Sequence, residues 1–353
     1  MGLLTIGVFA RTVRLTPKAL RLYDDLGLLP PAAVDPDTGY RLYHPDQVPR
    51  ARLIGRLRAI GMPLAEIRAV CGLPPAAAAE AVDTYWRRVV DDTAARGRLA
   101  TVLVDHLSGR DTAVREPGIG FRYATGCETG PVRDSNEDAT YASDRLLAVA
   151  DGMRGPGGAS AAATAVAALA ALDPVVAPAV DLLTMLAAAV TDADRAVRRY
   201  ATADHQPVTT LTAVRCAGTQ VALVHIGDTR VYLLRDGGLH QLTRDHTYVQ
   251  SLVDQGRLDP AEVSTHPQRS LLVRALGAGE RVEVDLSVRA AQPGDRYLLC
   301  SDGLSTVLDR ADLHAVLTAA PDPDRAVTDL MARAYAAGAL DNIACVVADV
   351  VTD

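Results

Sequence analysis

Two domains are predicted: an N-terminal all-α winged helix-turn-helix with a long dimerisation helix, and a C-terminal α+β layered domain. Three observations predict them. The chain's 353 residues exceed what one hydrophobic core usually supports. Charge is divided unevenly: residues 1–110 hold 15 Lys and Arg against 11 Asp and Glu, residues 111–353 hold 21 against 32, and the resulting +4 and −11 make up the formal −7 of the chain. Helical periodicity fills the first part, whereas short apolar runs separated by turn residues recur in the second. An Arg-dominated front suits a polyanionic partner and an acidic back suits divalent cations, although ordinary solvated surface charge accounts for such numbers as well.

The five Cys (71, 127, 216, 300 and 345) show no CxxC and no paired spacing. They read as small buried apolar residues in a reducing compartment, not as disulfides or zinc ligands. No basic n-region precedes an apolar h-region, and no run of about 18 uncharged apolar residues appears. A soluble, cytoplasmic protein with no membrane partner is expected. The Ala-rich tracts 159–172 and 185–190 carry larger residues at intervals and read as helices.

In the front module, Ile6–Val13 is a short amphipathic stretch. Thr16-Pro17 is an N-cap followed by proline at the first helical position, opening a second helix to about Leu26 that Gly27 ends. Two short helices joined by a tight turn make a helix-turn-helix whose second member presents Lys18, Arg21 and Tyr23. The turn cluster Asp35–Gly39 followed by Tyr40-Arg41-Leu42-Tyr43 predicts a hairpin wing. A third helix, about Asp46–Ile60, carries Arg50, Arg52, Arg56 and Arg58, and a fourth starts at Pro63. Val82, Trp86, Val89, Thr93, Ala100, Leu103 and Leu107 fall near a 3.5-residue spacing, as in a dimerising coiled coil or in a helix packed on its own domain. Turn formers without periodicity place a linker at 109–117.

The order of these elements, with the strings LRLYDDLGLLPP, GYRLY and LRAIGMPLAEI, resembles the DNA-binding domain of MerR-type regulators over residues 4–72. The resemblance implies residues 1–72 as a DNA reader, 73–108 as a dimerisation helix, and a homodimer on double-stranded DNA. Thr16, Lys18, Arg21 and Tyr23 on the recognition helix, with Tyr40, Arg41 and Tyr43 in the wing, would meet DNA backbone and groove. Arg pairs with phosphate or guanine in two-point fashion, and Tyr offers a stacking face and a hydroxyl. Tyr23 and Tyr43 fit core packing equally well. Arg14 stands where the family usually has Gly.

In the back module, residues 118–353, the runs Leu146–Ala150, Leu211–Val214, Val221–Ile226, Val231–Leu234, Tyr297–Cys300 and Ile343–Val351 read as strands, with three or four long helices between them. Asp151, Asp228 and Asp302 each close an apolar strand, and Asp341-Asn342 opens another. One Asp at a strand end is ordinarily a turn residue. Four of them converging on one edge coexist at neutral pH when cations neutralise them, and hard oxygen ligands without His or Cys select Mg(II) or Mn(II). Two such ions would hold a bridging hydroxide and clamp phosphoryl oxygens.

The strings VRDSNEDA, AVADGMRG, TTLTAV, IGDTRVYLLRDG, LTRDHTYVQSLVDQG, HPQRSLLVRALG, LLCSDGLS and DNIACVV, in this order, resemble the motif series of type 2C metal-dependent Ser/Thr protein phosphatases of bacteria. The resemblance implies a four-layer α/β/β/α sandwich of two antiparallel sheets. It also implies hydrolysis of phosphoserine and phosphothreonine, by metal-bridged hydroxide, on phosphoproteins made by a bacterial Ser/Thr kinase. Two Mn(II) or Mg(II) ions are implied, with room for a third. Asp151 would bridge the metals, Gly152 and Glu137 or Asp138 would complete one of them, and Asp302 and Asp341 would hold the other. Arg133 would grip the substrate phosphate and Asn342 would orient a bound water. Asp245–Arg269 would form a flap, Asp204 aligns loosely with a third-metal ligand, and Asp228 reads as structural. Arg154 stands where the family has Gly, no Gly precedes Thr209-Thr210, and Thr306 replaces an acid. The alternative is a MerR-type regulator whose phosphatase-like part senses without catalysing.

Overall fold

A computed structural model of the chain describes residues 2–107, 118–153, 155, 157–175, 179–279 and 282–352. The expected linker at 109–117, and Arg154, lie outside them. The fold divides into two compact units, residues 1–91 with 248–269, and residues 92–247 with 270–353. No described helix is long and apolar enough to cross a membrane.

In the first unit, β1 (Leu4–Thr5) leads into α1 (Ile6–Val13), α2 (Pro17–Asp25), β2 (Ala33–Val34), β3 (Arg41–Tyr43), α3 (Val48–Ala59), α4 (Leu64–Gly72) and α5 (Pro75–Leu107). The unit is therefore not all-α: the expected hairpin pairs β2 with β3, and β1 adds a third antiparallel strand beside β3. Thr16 caps α2 by accepting from the Ala19 N–H at 3.1 Å. Arg14, in the place of the family's glycine, takes the left-handed backbone with φ 56, which a non-glycine residue tolerates at a cost of about 1 kcal/mol or more. The arginines of α3 are exposed, and Arg50 and Arg58 reach back to backbone carbonyls. Arg50 donates to the Leu28 and Cys71 carbonyls at 3.1 and 3.2 Å, and Arg58 to Met62 at 3.0 Å. Val82 and Val89 of α5 pack against this unit's core, whereas Trp86 is exposed. The near end of the stripe thus serves its own module, and the side chains of Leu103 and Leu107 are outside the described residues. The segment expected as a flap, with α8 (Tyr248–Asp254), groups with this unit.

The second unit contains β4 (Ile119–Glu128), β5 (Asp138–Ala142), β6 (Leu146–Met153), α6 (Gly158–Ala170), α7 (Ala179–Val197), β7 (Val208–Thr209), β8 (Leu211–Ala217), β9 (Gln220–Ile226), β10 (Arg230–Arg235) and β11 (Gly238–Gln241). After the α8 segment come β12 (Asp285–Ala290), β13 (Arg296–Cys300), α9 (Asp302–Ser305), α10 (Arg310–Ala319), α11 (Pro323–Ala336) and β14 (Ile343–Thr352). One antiparallel sheet runs β11-β10-β13-β14-β4 and the other β12-β9-β8-β6-β5. Alternation along the strands sorts side chains into three cores. Leu147, Val149, Val214 and Leu223 of one sheet meet Tyr297, Leu299, Ala344 and Val346 of the other. On the outer faces, α10 and α11 pack on Leu298, Cys345 and Val347, while α6 and α7 pack on Leu146, Ala148, Ala213 and Val224.

The Tyr43 ring stacks on Phe9 at 4.6 Å between centroids, with the residue fully buried and its hydroxyl lacking a partner. Tyr43→Phe is therefore expected to leave the first unit as stable or more stable by about 0.5–1 kcal/mol. Tyr43→Ala is expected to cost about 3–5 kcal/mol. Denaturant titration of the full chain checks both.

Candidate active site

The acids are brought together by strand register. In the β5–β6 ladder Asp138 stands directly opposite Asp151, which places their carboxyls a few ångströms apart. Thr209 and Thr210 fix the backbone beneath them. The Asp151 N–H donates to Thr210 Oγ1, and its carbonyl accepts from the Thr209 hydroxyl and the Thr210 N–H, all at 2.9 Å. The missing glycine before this Thr pair is replaced by Val208, which pairs with Met153 in β7. Gly152 admits no side chain, since a Cβ there would stand 2.1 Å from the Gly158 carbonyl oxygen and 2.7 Å from that of Glu137.

A second strand pair supplies the other half. Cys300 and Cys345 are register partners in β13 and β14, so Asp302 just beyond the first and Asp341 just before the second emerge at the same end. Gly303 lets them approach, as its Cβ would fall 1.9 Å from the Asn342 carbonyl oxygen. Asn342 is a clamp. Its Oδ1 accepts from the Glu137 N–H at 2.9 Å, and its amide hydrogens go to the Thr129 and Ser135 carbonyls, both at 2.8 Å. This amide holds the 129–137 loop in place. Arg133 donates to Asp341 Oδ2 at 2.7 Å from an exposed position, and its remaining N–H groups point to no partner within the described hydrogen bonds.

Electrostatics expose the cost of this gathering. Burial, followed by the charges of Asp302 and Asp341, pushes the Asp138 carboxyl up to about 7. Burial and then Asp138 and Asp302 push Asp151 well above the carboxylate range. Burial and Asp341 raise Asp302, and burial raises Glu137 against the opposing pull of Arg133. Asp228, read from the sequence as structural, joins the group: it is 7% exposed, and burial and the Asp302 charge raise its carboxyl. Asp138 Oδ2 and Asp228 Oδ1 are buried without any hydrogen-bond partner, the signature of acceptors aimed at something other than protein. Among the described residues no three Asp, Glu, His or Cys side chains are arranged so that they could hold a metal ion; Asp138 and Asp302 hydrogen-bond to Asp151 instead. A donor set of carboxylates and one carbonyl fits Mg(II) or Mn(II), and added positive charge would relieve the repulsion. Asp204 is exposed. The signal for Asp228 was available: it closes an apolar strand, as Asp151 and Asp302 do.

The expected DNA-contacting residues separate. Tyr23 is 5% exposed and Tyr43 fully buried, both inside the first unit's core, so neither faces a ligand. Arg41 is tied by its Nε to Asp24 Oδ2 at 2.5 Å and reaches Asp25 at 3.4 Å, fastening the hairpin to α2. Thr16, Lys18, Arg21 and Tyr40 remain exposed.

A carboxyl with a raised value binds its proton more tightly folded than unfolded. For Asp138 the fold is favoured below the unfolded value of 3.8 and loses stability as pH rises toward about 7. Without divalent cations, Asp138→Asn is expected to flatten the fall in melting temperature between pH 4 and pH 7 seen in the parent chain. Adding Mn(II) to the parent flattens it as well, and thermal melts across that range check both.

Residues 131–334 match the protein phosphatase 2C family, and residues 4–72 match the MerR HTH family of regulatory proteins. The serine/threonine protein phosphatase PstP of Mycobacterium tuberculosis is 49% identical over 238 residues, covering 65% of this chain and 45% of that protein. The chain thus spans about half the length of the curated relative it matches. The crystal structure of the Mycobacterium tuberculosis phosphatase PstP/Ppp is similar with a TM-score of 0.62 and 47% identity, over 65% of this chain and 98% of that one. The catalytic domain of PstP in complex with two manganese ions gives a TM-score of 0.61 and 45% identity, over 66% of this chain and 99% of that one. With its acids, its register and these similarities taken together, the chain belongs to the protein phosphatase 2C family and carries a MerR-type helix-turn-helix segment at its N-terminus.

Proposed function

We propose that the chain is a metal-dependent phosphatase of phosphoserine and phosphothreonine in proteins, joined to a dimeric DNA-binding module. The observation that carries this reading is the convergence of Asp138, Asp151, Asp228, Asp302 and Asp341 beside Arg133, with two carboxyl oxygens buried and unpartnered. Asp151, the Gly152 carbonyl and Glu137 or Asp138 would hold one ion, and Asp302 and Asp341 would hold the other. When bound, two Mn(II) or Mg(II) ions supply Lewis acidity and cancel the acids' mutual repulsion. Arg133, with free N–H groups on an exposed guanidinium, binds and orients the phosphoryl oxygens. Asn342 keeps Glu137 and the Arg133 loop at their distance from Asp341. The PstP structure with two manganese ions supports this ion count.

The stacking of helices, two sheets and helices around three cores supports a four-layer sandwich, and the β2–β3 hairpin beside α2 supports a wing. Lys18, Arg21, Thr16 and Tyr40 form the surface offered to DNA, and the exposed Trp86 on α5 supports a homodimer. The natural substrates are phosphoproteins of a Ser/Thr kinase in the same cell. Free Cys residues and a DNA-binding segment favour the cytoplasm. Domain boundaries at 1–72, 73–108, 109–117 and 118–353 accompany this reading.

The chain is expected to release phosphate from a phosphothreonine peptide in the presence of Mn(II) or Mg(II) and not in EDTA. Asp151→Asn is expected to lose at least a hundredfold in rate; equal rates in variant and parent would remove Asp151 from the chemistry, and no turnover with either ion would leave a sensor without catalysis. For the front module, Arg21→Ala is expected to weaken salt-dependent DNA retention about five- to tenfold, roughly 1–1.4 kcal/mol. Unchanged retention in a salt titration counts against DNA contact by α2.

A further inference from the structure

Among the described residues of the second unit, the two most exposed large apolar side chains are Leu340 at 66% and Val132 at 60%. Scattered exposed apolar residues are ordinary on protein surfaces. These two are not scattered: each immediately precedes one member of the Arg133–Asp341 ion pair. Their loops are interlocked. Gly130, with φ 75, packs so closely that a Cβ would meet the Asp341 carbonyl oxygen at 2.4 Å and that of Ala339 at 3.2 Å. Asn342 binds the Thr129 and Ser135 carbonyls from the other loop. Tyr335, 39% exposed, anchors the same corner by donating its hydroxyl hydrogen to Glu128 Oε2 at 2.6 Å. An apolar rim is thus held rigidly against the group placed to grip phosphate.

We infer that Val132 and Leu340 form a substrate lip that receives a bulky apolar side chain one or two positions from the phosphorylated Ser or Thr of a peptide. The inference rests on the phosphatase reading and specifies its substrate class. Distances fit. Consecutive Cα atoms lie about 3.8 Å apart and an extended peptide advances about 3.3–3.6 Å per residue. A neighbour one or two positions from the phosphoresidue therefore sits within about 7 Å of it, and Val132 and Leu340 each stand one Cα step, about 3.8 Å, from Arg133 and Asp341. Chemistry fits as well. Arg133 is engaged by phosphate and Asp341, so a charged or polar neighbour pressed on Val132 and Leu340 gives up hydration without a partner, whereas an apolar neighbour gains by burial. Selectivity then appears as a ratio of kcat/KM between substrates differing only at that position.

Two phosphothreonine peptides, identical except for Leu or Ser at one flanking position, test this when that position is moved from −2 to +2 and turnover is measured with the full chain in Mn(II). The parent is expected to prefer a Leu peptide at least fivefold at one or more positions. The Val132→Ser/Leu340→Ser variant is expected to bring that ratio below twofold; as a ratio within one preparation, it does not depend on the folded fraction. No preference in the parent, or one that survives the double substitution, overturns the lip. So does a change of oligomeric state in the double variant on sedimentation, which would assign the rim to a second copy of the chain. Hydrolysis of p-nitrophenyl phosphate by the parent separates the two levels. Turnover without peptide preference sinks the lip alone, and no turnover of any substrate sinks the phosphatase reading beneath it.

Discussion

Asp138 and Asp151 face each other across β5 and β6, and the burial of these two acids beside Asp302, which opens α9 just after β13, is the constraint to which the surrounding structure answers. Carboxylates in water repel weakly, but those withdrawn from it interact several times more strongly and shift toward the protonated form. Such an arrangement persists only where covalent geometry and hydrogen bonds leave no alternative. Here the register of two ladders, the Thr209–Thr210 pair on the Asp151 backbone and the Asn342 clamp supply that rigidity. The glycines at 152 and 303 supply the room, each lying where any side chain would collide with a carbonyl oxygen.

The cores explain why the strain is tolerated. Strand ends bearing the acids extend from β6 and β13, whose inward side chains are fully buried between two sheets and whose outer faces are covered by helices. Strands anchored on both faces do not shift to relieve a few kcal/mol at their tips. Elsewhere charge is dealt with by pairing. Arg230 meets Asp245 through three contacts of 2.6–3.1 Å, and Arg296 holds Asp349 at 2.6 and 2.9 Å while also donating to the Leu317 and Ala320 carbonyls. Against that background Asp138 and Asp228, each with a buried oxygen that has no partner, stand out as a site and not as careless burial.

Much of this was legible in the sequence, for a definite reason. Six apolar runs were long enough to announce strands, and acids following them pointed to one end of the sheets. The eight ordered motifs add spacing that only one arrangement satisfies. What escaped has physical causes. β4 and β5 are half exposed along much of their length and lack a strong alternating signature, and β1 is two residues long. Tyr23, Tyr43 and Arg41 were ambiguous because aromatic and Arg side chains serve core, hairpin anchorage and DNA equally well on local pattern; only packing on Phe9 and pairing with Asp24 decide. Asn342 looked like a polar residue beside a metal ligand, and its use as a three-point clamp depends on a loop more than 200 positions away. Asp228 reads as structural in the family's motif series, although it closes an apolar strand, the charge of Asp302 raises its carboxyl and its own charge raises that of Asp151.

The central claim is that these carboxylates form a cluster built to be neutralised by divalent cations. Calorimetric titration of Mn(II) into the full chain at pH 7, repeated in buffers of different ionisation enthalpy, tests it most directly because it counts ions and protons together. The account predicts that at least two ions bind, that protons are released as Asp138 gives up its share, and that Asp151→Asn weakens binding by at least a hundredfold. Binding of no ion, or equal binding in parent and variant without proton release, would contradict it.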